Sequence, residues 1–440
     1  MQLFSATLRG WVHPSDAFIL LHEQHENAFW LDREKHPSQA FSVIGASSVV
    51  ISSPDLADLK TQFDSRAHEA KIQSDDADFP FDWRPGLVGF VEYEGAFRFL
   101  DVDRAMVFDH KSRHMYFVGL FDSEAEFKQW HHAGLLRLGL AGGQVAHYLH
   151  KMRRGKVEST PSLRHQSGDY LQMIERAQES IAAGDVYQIC LTNQIRIETE
   201  VDALATFIEL RKSHSTPYAA FLQIGKTSIA SISPEQFLKV SADRKLSSKP
   251  IKGTRPRHSD FAKDDEIARE LAANSKERAE NLMIVDLMRN DFSQVSEPDS
   301  VTVSKLFEIE SYSTVHQLVS TIESRLSEGA TAIDAFNACF PGGSMTGAPK
   351  PRAIELIREL ELGPRGIYSG AIGYFGADGS AEFGMVIRTL VFEQTEVGQV
   401  VTLGVGGGIT IDSDPTSELQ ETELKAQALL AALGVASPWG

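Results

Sequence analysis

Short apolar runs broken by turn residues dominate the first 150 positions. "AFILLHEQ", "AFWLD", "GLVGFVEYEG", "RAMVFD" and "HMYFVGLF" each read as a strand, and together they predict antiparallel sheet. A polar, basic stretch, "HKMRRGKVESTPSLRHQSGD", predicts a connector that separates an N-terminal region (1–150) from a second region (165–435) with which it is intertwined. Helical periodicity begins after it. "YLQMIERAQESIAAGD" predicts an amphipathic helix closed by Gly184. Further on, strands ("YAAFLQI", "GAIGYFG", "GMVIRTLVF", "VVTLGVGGG") mix with helices ("FAKDDEIARELAAN", "PRAIELIREL", "LQETELKAQALLAALG"). Helices do not alternate strictly with strands, which argues against a doubly wound parallel sheet. The pattern predicts an α+β fold of two packed antiparallel sheets flanked by helices.

Composition narrows the function classes. The chain has 440 residues, with 60 acidic and 43 basic side chains and a net charge of −17. That surplus argues against binding to nucleic acid or an anionic membrane. No apolar run approaches the roughly 20 residues a membrane helix needs. The start, "MQLFSATLRGWVHPSDAF", lacks a secretory pattern, so a cytoplasmic location is expected. Cys190 and Cys339 stand in apolar surroundings and are expected to be small core residues, offering neither a zinc set nor a disulfide framework.

Candidate chemistry lies in the second region. "NSKERAENLMIVDLMRND" predicts a helix on which Glu277 and Glu280, three apart, share a side. "DPTSELQETELKAQ" starts a second helix, with Ser417 and Gln420 suited to a capping box and Glu418 and Glu421 again three apart. Each pair is either a solvated helix face or half of a four-carboxylate cluster. Such a cluster, free of His and Cys, suits Mg²⁺. "VTLGVGGGITIDSD" predicts a strand, a glycine run to Gly408 and a return strand; the bare backbone is either a tight turn or a place where a ligand approaches. Arg388, inside the apolar run "GMVIRTLVF", either pairs with a buried acid or faces a substrate carboxylate. His316 in "YSTVHQLVSTI" is either a satisfied core histidine or a general acid–base group. Lys252, in "KPIKGTRPR", is either one of four surface cations or a nucleophile.

In this order, the segments "GDVYQICLTN", "SPEQFL", "KPIKGTRPR", "ERAENLMIVDLMRND", "VHQLVS", "FPGGSMTGAPKPRAIELI", "YSGAIGYFG", "IRT" and "GGGI…SELQET" resemble the chorismate-utilising enzymes, and within them the aminodeoxychorismate synthase component I branch. The resemblance runs from about Gly184 to Glu421. It implies a Mg²⁺ ion on Glu280 and Glu421, supported by Glu277 and Glu418. It implies substrate binding by Arg388, Gly406, Gly407, Gly408 and Tyr368, and catalysis by Lys252, His316, Glu235 and Thr254.

The resemblance further implies that Lys252, where relatives that aminate C2 carry alanine, attacks chorismate at ring C2 and expels the C4 hydroxyl. Ammonia then adds at C4 and releases the lysine, giving 4-amino-4-deoxychorismate for p-aminobenzoate and folate synthesis. A free amine is required, and burial beside Pro250 and Ile251 among Lys249, Arg255 and Arg257 is expected to supply it. Gln188 stands where water-using relatives carry a lysine, which favours ammonia as the incoming group. The chain shows no glutaminase signature, so ammonia is expected from a glutamine amidotransferase subunit or from free ammonium. The alternatives are anthranilate synthase component I and a catalytically silent ligand-binding subunit.

Overall fold

The computed structural model describes residues 1–36, 39–67, 79–152, 160–214, 216–312 and 314–439. Two antiparallel sheets carry the architecture, of twelve and ten strands among the described residues. The larger runs Gln2–Leu8, His114–Phe121, Arg104–Asp109, Phe41–Ala46, Asn27–Asp32, Tyr218–Ile224, Thr227–Ser233, Thr389–Thr395, Gly398–Ile409, Gln188–Glu198 and Gly347–Ala348. The smaller runs Ile251–Pro256, Val315–Arg325, Lys245–Lys249, Gln236–Val240, Ala381–Met385, Ala371–Gly376, Gly86–Val91, Phe97–Val102 and Val50–Ser53. Each sheet takes strands from both the 1–150 and the 165–435 regions.

Two apolar layers explain this arrangement. One, with Phe29, Phe90, Val107 and Leu222, fills the space between strands of the two sheets. A second, with Phe18, Trp30, Phe207 and Leu429, lies under helices that cover the larger sheet. Strands buried on both faces read as unbroken apolar runs rather than as alternation.

Local departures from the sequence reading have identifiable causes. "AFILLHEQ" is not a strand: residues Pro14–His22 form a helix with proline in the first turn, and the His13 ring accepts the Ser15 N–H. Burial of Ala17, Phe18, Ile19 and Leu21 made it apolar enough to pass for a strand. No return strand follows Gly408. The strand runs on to Ile409, a turn follows, and the Pro415–Leu433 helix begins with Asp414 as its cap, accepting from Ser417 N, in place of the expected capping box. In the basic connector, residues 153–159 lie outside the described residues, while Ser162–Leu163 pairs with the Gln188–Glu198 strand. Cys190 and Cys339 are buried free thiols, as expected.

"GMVIRTLVF" also breaks. Ala381–Met385 belongs to the smaller sheet and Thr389–Thr395 to the larger, and the chain crosses between them at Val386–Arg388. Arg388 adopts a left-handed conformation there, φ 51°. A second crossing, at Pro234–Glu235, joins Thr227–Ser233 to Gln236–Val240. The two crossings are tied together by Ile232 N–H to Arg388 O (3.1 Å) and Met385 N–H to Glu235 O (3.1 Å). Glu235 and Arg388 are thus adjacent where the sheets diverge.

Candidate active site

The divergence opens a cavity of about 570 Å³. Its walls come from five places. The sheet crossings supply Glu235 and Arg388, and the Ile251–Pro256 strand supplies Lys252 and Thr254. The Ser275–Ser293 helix supplies Glu277 and Glu280, the Pro415–Leu433 helix supplies Glu418 and Glu421, and the glycine strand supplies Gly408. All four glutamates, in two pairs more than a hundred residues apart in sequence, face one space.

Backbone detail explains how they meet. Asn274 caps the first helix through Glu277 N–H, so Glu277 sits in its first turn and Glu280 one turn on. Glu418 occupies the first turn of the second helix. Both helices therefore turn their positive N-terminal ends toward these carboxylates. A bulge between Lys252 and Thr254 places Gly253 at φ +73°, and a Cβ there would come 2.8 Å from the Glu277 carboxyl carbon. Only glycine allows that approach.

Of the three glycines, Gly408 lines the cavity. A Cβ on it would lie 2.5 Å from Gln188 Nε2 and 3.1 Å from Lys252 Nζ. The space beside Gly407 is taken by Glu418 Oε2, and the Gly406 carbonyl accepts from Lys425 Nζ at 2.8 Å. The Thr389–Thr395 strand pairs with this strand only as far as Thr402, so one edge of the glycine stretch faces the gap between the sheets.

Cations separate the carboxylates. Lys252 Nζ lies 3.5 Å from Glu280 Oε2. Lys276 Nζ lies 3.1 Å from Glu418 Oε1 and 3.9 Å from Glu280 Oε1. Lys425 holds Glu421 at 2.9 Å, and Arg255 holds Glu277 at 3.4 Å. Among the described residues no three acidic, histidine or cysteine side chains close to metal-holding distance of one another. Arg388 has no acidic or hydrogen-bonding side-chain partner among the described residues, and burial pushes its guanidinium below the usual value. The buried-acid alternative therefore falls away and an unpaired cation faces the cavity.

Three expectations are corrected. Burial does push the Lys252 ammonium toward neutrality, but the opposing charges, Glu280 foremost, outweigh it and leave the amine above its usual value. The neighbouring cations do not help, because each has its own acid: Lys249 with Glu310, Arg255 with Glu270 and Glu277, Arg257 with Asp264. His316 does not line the cavity. Its Nε2 meets Asp264 at 3.0 Å and its Nδ1 meets Ser311 at 2.7 Å, while the next residue on the strand, Gln317, faces the cavity instead. Tyr368 is outside it too, packed over Gly404, where a Cβ would strike its ring at 2.1 Å.

Glu235 gains importance. Burial pushes its carboxyl up to about 7, against the opposing pull of a Ser344 hydrogen bond and the Lys252 charge. It can therefore hold a proton near neutral pH. The residues that the sequence reading missed are Lys276, Lys425 and Gln317. Lys276 precedes Glu280 by one helical turn, a spacing visible in the sequence.

Comparison with known proteins gives the family. Residues 26–431 match the chorismate binding enzyme family. The chain belongs to that family. It is 40% identical to an aminodeoxychorismate synthase of Streptomyces griseus over 90% of this chain and 55% of that protein. It is 37% identical to one of Streptomyces pristinaespiralis, over 95% of this chain and 63% of that protein. The chain thus spans a little over half the length of these curated relatives. Anthranilate synthase component 1 of Streptomyces coelicolor is 36% identical over 79% of this chain and 72% of that protein. Among solved structures, anthranilate synthase component I of Streptococcus pneumoniae superposes with TM-score 0.72 at 26% identity, covering 92% of this chain and 90% of that one. The menaquinone-specific isochorismate synthase MenF of Escherichia coli, at TM-score 0.74 and 18% identity over 98% of this chain and 94% of that one, shares the fold.

Proposed function

We propose that this chorismate-binding chain is an aminodeoxychorismate synthase component I, joining chorismate and ammonia to give 4-amino-4-deoxychorismate. The observation that carries the reading is the position of Lys252, a primary amine on the cavity wall beside Gly408 and Glu280. The names of the two relatives at 40% and 37% identity support it.

Each residue then has a task. Arg388, unpaired and half-buried, takes one substrate carboxylate, aided by the open edge of the glycine strand. Glu280 and Glu421, with Glu277 and Glu418 beside them, offer the oxygen donors that Mg²⁺ prefers, and such an ion supplies charge neutralisation for the other carboxylate. Lys252 attacks ring C2 through its neutral amine. Both ring double bonds shift and the C4 oxygen leaves as water, protonated by the Glu235 carboxyl in place of His316, the general acid–base candidate of the sequence. Ammonia adds at C4, both double bonds shift back and the C2–N bond to Lys252 breaks, its electron pair returning to the lysine nitrogen. Thr254 and Gln317 border the same space and hold the substrate ring. Gln188, neutral and buried, offers no base to activate water, which favours ammonia. A glutamine amidotransferase partner is the expected ammonia source, and the cytoplasm the expected location. No helix is long and apolar enough to cross a membrane among the described residues.

Chromatography of the product from chorismate, Mg²⁺ and ammonium tests the reading: 4-amino-4-deoxychorismate supports it. Anthranilate would favour the second reading, anthranilate synthase component I, for which the Streptomyces coelicolor protein is the better match in length.

A further inference from the structure

Lys276 occupies a position that the established family relationship leaves unexplained. It is the one residue whose ammonium reaches carboxylates on both helices of the site among the described residues, 3.1 Å from Glu418 and 3.9 Å from Glu280. The three exposures differ sharply. The Glu280 and Glu418 side chains are 10% and 5% exposed, whereas that of Lys276 is 48% exposed. Two nearly buried carboxylates need a cation between them, since each charge out of water is costly unless paired. A half-exposed ammonium on a four-carbon stem has no such need and can return to water. The lysine is therefore the mobile partner and the carboxylates are the fixed ones.

We propose that Lys276 is a built-in stand-in cation: in the metal-free chain its ammonium spans Glu280 and Glu418, and a divalent cation entering the site displaces it. This rests on the proposed Mg²⁺ reading. Two consequences follow. The stand-in keeps the two helix ends together while the site waits, because Lys252 and Arg255 pair with Glu280 and Glu277 on the first helix and Lys276 joins Glu280 to Glu418 on the second. It also competes with the metal, so it lowers the metal's affinity. The exchange favours loading the metal together with substrate: Mg²⁺ and the chorismate dianion add no net charge, and the freed ammonium stays at the rim, where a substrate carboxylate arrives.

Titration of EDTA-stripped protein with Mg²⁺ alone, by calorimetry in about 0.15 M salt, is the test. Lys276→Met should bind Mg²⁺ about tenfold more tightly than wild type, the scale of one modest ion-pair interaction removed from the competing state. Its metal-free melting temperature should fall, and Mg²⁺ should restore it. Lys276→Arg keeps the charge and adds a fork that grips carboxylates, so it should bind Mg²⁺ no more tightly than wild type. Lys128→Met, which breaks an exposed pair with Glu124, controls for net charge and should leave affinity unchanged. A lysine with a merely structural role predicts weaker metal binding in Lys276→Met. Wild type that binds Mg²⁺ while Lys276→Met binds equally or less tightly overturns this inference and leaves the metal reading standing. If neither protein binds, both fall. Binding by Lys276→Met alone supports the stand-in in its strongest form.

Discussion

Lys252 Nζ stands 3.5 Å from Glu280 Oε2, so the proposed nucleophile and a proposed metal ligand form one ion pair. The pair helps explain why the amine sits above its ordinary value: burial would free it, and the opposing charges, Glu280 foremost and Glu235 among the others, outweigh that burial. It also couples the two functions. A cation that draws charge from Glu280 removes the largest force holding the proton on Lys252.

Lys252→Ala should therefore lose 4-amino-4-deoxychorismate formation by at least about 10³-fold in kcat, with little change in KM, because the proposed substrate-binding groups, Arg388 and the glutamates, remain. A trace of C2-aminated product is expected through the vacated space. Lys252→Arg should not recover activity, since a guanidinium stays protonated. The measurement is the product ratio under saturating ammonium. C4 amination at wild-type rate by the alanine variant would remove Lys252 as nucleophile.

Glu280→Gln and Glu421→Gln should each abolish turnover while the chain stays folded, because each takes a charged oxygen from the site. Circular dichroism checks folding and a chorismate-consumption assay checks turnover. Normal turnover across a range of Mg²⁺ concentrations in either variant would reject that metal assignment.

Glu235 sets a pH dependence with a definite sign. Its folded value, about 7, lies above the ordinary 4.5, so the folded chain keeps a proton that the unfolded chain releases. The stability it contributes is complete below about 4.5 and is lost as pH rises through about 7. That rise corresponds to a few kcal/mol at most. Glu235→Gln should flatten that part of the stability curve, read as melting temperature against pH. In the proposed mechanism the same residue donates the proton to the leaving hydroxyl, so kcat/KM should fall as pH rises above about 7, and the glutamine variant should lose about 10²–10⁴-fold in rate.

His316 and Gln317 show where the sequence stops being informative. Both lie on the Val315–Arg325 strand, and from His316 to Thr321 the strand is buried on both faces. With no exposed face there is no alternation to assign direction, so a histidine attracts the functional reading by its chemistry alone. Folding gives it to Asp264 and Ser311 and turns Gln317 to the cavity. The glutamate pairs were legible because helical spacing fixes their side whatever the tertiary structure. The sheet crossing at Arg388 was not, because "GMVIRTLVF" carries no glycine or proline at the break and Arg388 absorbs the turn itself. The ion pairs that raise Lys252 and span Glu280 and Glu418 depend on packing between distant helices, which one chain read alone does not contain. His316→Ala should accordingly lower the melting temperature and leave kcat of the folded fraction near wild type, whereas Gln317→Leu should lower kcat with a smaller effect on melting. A reversed pattern would restore His316 to catalysis.

Gly404 and Gly408 lie on one strand, four residues apart, and offer a closing contrast between packing and chemistry. A Cβ at Gly404 would come 2.1 Å from the Tyr368 ring, which is buried outside the cavity. The ring has no room to retreat, so Gly404→Ala should destabilise by about 1–3 kcal/mol, the usual range for overpacking a core. A Cβ at Gly408 instead meets the side-chain ends of Gln188 and Lys252, at 2.5 and 3.1 Å. Gln188 is 1% exposed and cannot leave, so the methyl displaces whichever end yields, and the Lys252 amine stands at the open side. A shift of about 1 Å in a reacting group costs on the order of 10²-fold in rate. Gly408→Ala should therefore melt within a few degrees of wild type while losing about that factor in kcat. Gly404→Ala should melt earlier and, below its transition, turn over normally. Melting curves and turnover measured on both variants decide it: equal losses of activity and stability in the two would mean that Gly408 serves packing and that Lys252 does not depend on the space above it.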